Sequence, residues 1–213
     1  MLARYDKPSS GELIQGEVLG GVVELRIDPT SGVGISTNEP VVAVTATPNP
    51  LARTVVLSNI CDLSQDYSVR QEMADETTTG ETAQVVGTEE DQTVSDDREI
   101  AEPPNILPNV LLCELLEVDD VRARYSLNSG DLNAVRDGNR ERWYWLNSAA
   151  VGADGGQLPE LFIDFRKTFA IKTDLIYGGL KAGSVKRLAI VPDLHMHDVV
   201  RRCFEYLSRV GLP

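Results

Sequence analysis

Apolar positions along this chain fall in short runs, most of them bounded by glycine or proline. Residues 11–19 (GELIQGEVL) and 22–27 (VVELRI) flank Gly20-Gly21. They predict two strands folded into a hairpin, because paired glycines supply the positive φ angles of a tight turn. Asp28-Pro29-Thr30-Ser31-Gly32 breaks the pattern, and residues 41–46 (VVAVTA) resume it. Residues 53–58 (RTVVLS) are the best buried strand, uninterrupted and β-branched. Residues 110–118 (VLLCELLEV) are again continuously apolar; period alone fits strand or buried helix, and strand is assigned to their start.

The second half is patterned more clearly. Residues 129–138 predict a short helix carrying Leu132 and Val135 and closed by Gly138. Residues 143–146 (WYWL), 161–165 (LFIDF) and 186–191 (KRLAIV) predict strands, and Thr173 is the expected cap of a helix running to Leu180. From Asp193, a natural N-cap, apolar residues recur with a helical period, and Val200, Cys203, Phe204 and Leu207 are the expected buried stripe. Short strands with two or three helices predict an α+β fold, one domain over 1–213, built on a curled antiparallel sheet with a C-terminal helix.

Composition adds one feature that patterning misses. The 213 residues carry 33 Asp+Glu against 20 Lys+Arg, a net charge of −13. Residues 66–102 alone hold twelve carboxylates opposed only by Arg70 and Arg98, whereas the chain beyond residue 120 is net basic. Residues 72–104 are also poor in aromatics, so an acidic flexible insertion is expected over 66–104, mobile from residue 72 onward. Such a segment is either a solvated insertion or a tether for a basic surface or partner. No apolar run reaches the roughly 18–20 residues of a spanning helix, the N-terminus has no signal-like stretch, and three unpaired cysteines suit a reducing compartment. A cytoplasmic protein without membrane partners is expected.

Candidate chemistry is sparse. Gly32-Val33-Gly34 and Gly152…Gly155-Gly156 lack the ending and following helix of a phosphate-binding loop, so no cofactor is expected. His195 and His197, two apart on a helix, point about 200° from each other, so no metal site is expected either. Cys61 and Asp62 follow the strongest strand. Cys61 has no nearby histidine, so the turn is read as a buried thiol with Asp62 capping backbone amides, against a competing reading as a site in which Asp62 works with Arg53 or Cys61. Arg53 at a strand start could grip a phosphate bidentately, or form a surface ion pair. Arg136, Arg140, Arg142, Trp143, Tyr144 and Trp145 are the basic-aromatic interleaving that single-stranded nucleic acid uses. Of these, Arg140, Arg142, Trp143 and Trp145 are the candidate nucleic-acid or partner contacts, although Trp143 and Trp145 share a strand face and suit a core equally.

Gly11-Glu12-Leu13-Ile14, then Arg53 directly before Thr54-Val55-Val56-Leu57-Ser58-Asn59, then Val110-Leu111-Leu112-Cys113, resemble the opening of MazF/PemK-type toxins over about a third of the chain. The resemblance implies an SH3-like β-barrel, dimeric association, and metal-independent endoribonuclease activity in a prokaryotic stress or defence system. It places Arg53 at the family's catalytic arginine. The sequence departs from the pattern at Thr54, where a proline is usual, at residues 114–118, which lack the expected threonine, and in its acidic insertion. The alternative is a non-catalytic protein-interaction module using the acidic loop and the aromatic strand. A protein partner, RNA and a second copy of the chain are the partners these readings admit.

Overall fold

A computed structural model describes residues 5–8, 11–27, 33–35, 40–42, 46–79, 106–152 and 156–210. In chain order the elements are β1 (Glu17–Gly20), β2 (Val22–Ile27), β3 (Val33–Ile35), β4 (Pro40–Val42), β5 (Ala46–Leu51), β6 (Thr54–Val56) and α1 (Ile60–Thr79). Then come β7 (Asn109–Glu117), α2 (Val118–Tyr125), α3 (Ser129–Arg136), β8 (Trp143–Leu146), β9 (Ala149–Ala150) and β10 (Gln157–Leu158). The last four are β11 (Leu161–Lys172), α4 (Thr173–Ala182), β12 (Lys186–Ile190) and α5 (Asp193–Val210). Six strands form a curled antiparallel sheet in the order β12-β1-β6-β7-β11-β8. Its edge strands β12 and β8 do not pair, so the described strands make the curled open sheet and not a closed barrel.

Both faces of this sheet are covered, which explains why its central strands read as unbroken apolar runs. Along β7 and β11 alternate residues point to opposite sides. Cys113, Leu115, Ile163 and Phe165 pack with Met196, Val199 and Cys203 of α5. On the other side, Leu19, Val56 and Leu112 meet Leu63 of α1 and Ile176 of α4. Nearer β8, Leu116, Phe162 and Trp143 meet Val121 of α2 with Leu132 and Val135 of α3. The helix expected at residues 129–138 is closed by Gly138, whose φ of +74° suits glycine, and opened by a capping box between Asn128 and Asp131.

Several expectations are corrected. Gly20-Gly21 is not a hairpin turn. β1 pairs with β12 and β6, and β2 with β5. The ladders Val18↔Val55, Leu19↔Thr54 and Val22↔Leu51 to Ile27↔Ala46 keep one register, so β1–β2 and β5–β6 form a single long hairpin. Its inner half lies in the sheet, and its outer half, β2 with β5, is a separate two-stranded ribbon. Gly21 has φ +79° beside Ser184 O, a position that tolerates no Cβ.

The acidic insertion starts as helix: residues 66–79 belong to α1, and Asp66 is buried, while residues 80–104 lie outside the described residues. α2 was not foreseen. Thr173 is no cap but donates its hydroxyl to Leu107 O at 2.6 Å. In α5 Cys203 is buried as expected and Val200 and Leu207 are partly buried against the same core, joined by the buried Met196 and Val199, whereas Phe204 is 56% exposed and does not belong to the stripe.

Candidate functional site

The basic-aromatic segment converges on β8. Asp164 is fully buried on β11, opposite Trp143 in register, where β11 slips register against β7 between Ile163 and Thr168. Its carboxylate accepts from Arg142 Nε at 2.7 Å, Arg142 Nη2 at 2.5 Å and the Arg166 amide at 3.2 Å. The same guanidinium lies 4.7 Å from the ring centroids of both Tyr125 and Trp143, which meet each other edge to face. Two charge-assisted bonds and two cation–π contacts hold Arg142 in one place. Burial, followed by the charge of Asp164, raises the Tyr125 hydroxyl above its ordinary pKa.

Neighbouring groups are held in the same way. Arg140 pairs with Asp131. Arg136 donates to both oxygens of Glu160, at 2.6 and 3.0 Å, and Trp145 Nε1 donates to the same carboxylate at 2.6 Å. Arg136 is the main reason that the Glu160 carboxyl sits below its usual range. A 270 Å³ cleft between α3 and β8 is lined by Leu127, Asp131, Val135, Arg140, Arg142 and Trp143. Arg140, Arg142 and Trp143, three of the four candidate contact residues, line this one cleft, and Trp145 does not. Trp143 is nevertheless only 4% exposed, so it offers no open ring for a base to stack upon.

Arg53 and Asp62 are not brought together; they stand beyond opposite ends of β6. Arg53 Nη1 donates to Glu117 Oε1 at 2.5 Å, with the two side chains 25% and 43% exposed. The ion pair joins the residue before β6 to the last residue of β7. At the other end, Asn59 Oδ1 accepts from the Cys61 amide at 2.9 Å and caps α1. The expectations for this turn are corrected: Asp62 is an exposed residue of the first helical turn and not the cap, and Cys61 is exposed and not buried. The buried thiols are Cys113 and Cys203, both within reach of the Thr168 hydroxyl and both pushed up in pKa by burial. His195 lines a 280 Å³ cleft with Tyr144, Asp198 and Arg202, and His197 is exposed. Among the described residues no group of three or more His, Cys, Asp or Glu is placed to hold a metal.

Sequence reading missed the buried ion pairs elsewhere. Arg187 donates to both oxygens of the fully buried Glu17, at 2.8 and 3.1 Å, and to Glu12 O at 2.9 Å. Burial raises the Glu17 carboxyl, opposed by Arg187. Asp66 accepts from Arg70 at 2.8 Å and from the Leu107 amide at 2.9 Å, tying α1 to the entry of β7. The i,i+4 spacing of Asp66 and Arg70 was the available signal; nothing local marks Glu17 and Arg187, which are 170 residues apart.

No protein-family model matches the chain, and neither curated proteins nor solved structures gave a significant match. None of the helices in the described residues is long and apolar enough to cross a membrane.

Proposed function

We propose that this protein is a non-catalytic protein-interaction module that engages its partner through the β2–β5 ribbon. The observation that carries this reading is the ribbon itself. It leaves the sheet as two strands with no third strand beside it among the described residues, and exposes Val23 and Leu25. A two-stranded ribbon is marginal in water by itself, so docking a partner would supply the apolar cover it lacks.

The arrangement of the arginines supports the same reading. A phosphate-gripping guanidinium needs its donors unengaged, yet Arg53, Arg136, Arg140 and Arg142 each hold a carboxylate. A net charge of −13 further opposes docking on a polyanion. One observation favours the alternative, a MazF-like endoribonuclease of a stress or defence system. Arg53 and Glu117 set a cation and a carboxylate side by side at a strand end, as a phosphate clamp and general base would be.

Incubating the purified full chain with single-stranded RNA in EDTA separates the two. Intact RNA, with wild type and Arg53→Ala indistinguishable, is the expected result. Cleavage that disappears in a folded Arg53→Ala variant would replace the interaction reading with the nuclease one.

A further inference from the structure

The two outer edges of the ribbon are chemically unequal. In the β2–β5 ladder Val23 faces Pro50 and Leu25 faces Pro48. Proline has no N–H, so these pairs cannot exchange two hydrogen bonds and must be the non-hydrogen-bonded pairs of the antiparallel ladder. Val22↔Leu51, Glu24↔Asn49 and Arg26↔Thr47 are then the bonded pairs. It follows that the backbone groups of Val23, Leu25 and Ile27 point away from β5. The outer edge of β5 lacks donors at positions 48 and 50, the kind of proline blunting that keeps an edge from pairing. β2 carries no such block.

No strand among the described residues pairs with that second edge. In the sheet, β1 is flanked by β12 on the side away from β6, but β12 begins with Lys186 opposite Gly20. Beyond this point the chain before Lys186 turns back through Ser184, which presses on Gly21, into α4. The β2 edge that continues the line of β12 is six residues long, about 20 Å, and has no strand paired to it among the described residues.

We propose that two copies of the chain pair edge to edge, β2 against β2, antiparallel about a two-fold axis at Leu25. The sequence VVELRI is self-complementary in that register. Leu25 falls opposite the partner's Leu25 and Val23 opposite the partner's Ile27, all at positions whose backbone groups point outward. Glu24, whose Oε2 accepts from Asn49 Nδ2 of β5 at 3.0 Å, takes the register position opposite the partner's Arg26, and Arg26 that opposite the partner's Glu24, so the facing positions carry opposite charges. A shift of two residues either way sets Glu24 against Glu24, or Arg26 against Arg26, so the charges select one register. The strand itself is neutral, which lets it pair although the whole chain carries −13. An isologous contact of this kind closes on itself, giving a four-stranded ribbon β5-β2-β2-β5 with prolines at both outer edges and no route to further growth.

This inference rests on the interaction-module reading and names a second copy as the partner. Sedimentation velocity on the full chain tests it. Wild type is expected to reach twice the monomer mass of 23.3 kDa as concentration rises. Leu25→Pro removes an outward N–H and leaves the bonded pairs with β5 intact, so it is expected to sediment as a monomer with an unchanged circular dichroism spectrum. Glu24→Lys is expected to weaken the dimer at least tenfold, and Glu24→Lys combined with Arg26→Glu to restore it, because the swapped charges again pair. This double variant keeps the test decisive should Leu25→Pro misfold. A wild type that stays monomeric, a dimer indifferent to Leu25→Pro, or a double variant no better than Glu24→Lys would overturn the proposal. None of these results bears on the RNA assay, so the wider reading fails only if RNA is cleaved.

Discussion

Tyr5 and Tyr144 show how burial writes itself onto single groups. Both phenols lie in the core cluster under α5, and burial, the largest cause in each, raises them from 10 to about 12. Because the folded pKa exceeds the unfolded one, their contribution to stability is fully present below pH 10 and is lost as pH rises toward 12. Denaturant melts across that window should show stability falling with pH, and Tyr144→Phe should flatten the fall. If absorbance titration shows all six tyrosines ionising together near 10 in the native state, the core placement of these two rings is wrong. Cysteines give the complementary readout. Cys61 is exposed and should label with maleimide in the native protein, whereas Cys113 and Cys203 should wait for unfolding. In the same turn Asn59→Ala should cost about 0.5–2 kcal/mol as a lost cap, and Asp62→Ala less than about 0.5 kcal/mol. Labelling of a buried thiol before Cys61, or a costly Asp62→Ala beside a silent Asn59→Ala, would contradict that geometry.

Elements were legible in proportion to how much of their pattern is local. β8 was found at its observed bounds, and β6, β7 and β12 within a few residues, because a strand covered on both faces is a short apolar run and needs no partner to be seen. α1 was missed for the opposite reason. Over the residues whose burial is described, only Leu63 and Asp66 are buried, so its apolar periodicity is faint; Asn59 caps it and the Asp66–Arg70 pair anchors it. In α5 Val200, Cys203 and Leu207 face the core as expected, but both Phe204 and Val199 fit the helical period, and the sheet covers Val199 and leaves Phe204 exposed. Met196→Ala should therefore cost about 2–5 kcal/mol through a cavity, and Phe204→Ala less than about 0.5 kcal/mol. Equal losses in chemical denaturation would put Phe204 back in the core.

For the whole molecule, the ion pairs decide how the surface reads. The arginines that looked available for phosphate in the sequence are spent on carboxylates 9 to 64 positions away. Composition and charge pattern by themselves determined an α+β chain with a curled sheet, a C-terminal helix and an acidic bias, since burial periods and charge counts are local or additive properties. They also marked Arg140, Arg142 and Trp143 as one cluster, because these lie within four residues of each other. Pairing across distance was decided only by the tertiary structure: β1–β2 against β5–β6 instead of against itself, Arg142 on Asp164, Arg187 on Glu17. A glycine pair permits a turn without requiring one, and a carboxylate in a sequence does not name its cation. Which contact forms depends on the strand order that buries the most apolar surface, and that order is a property of the whole chain.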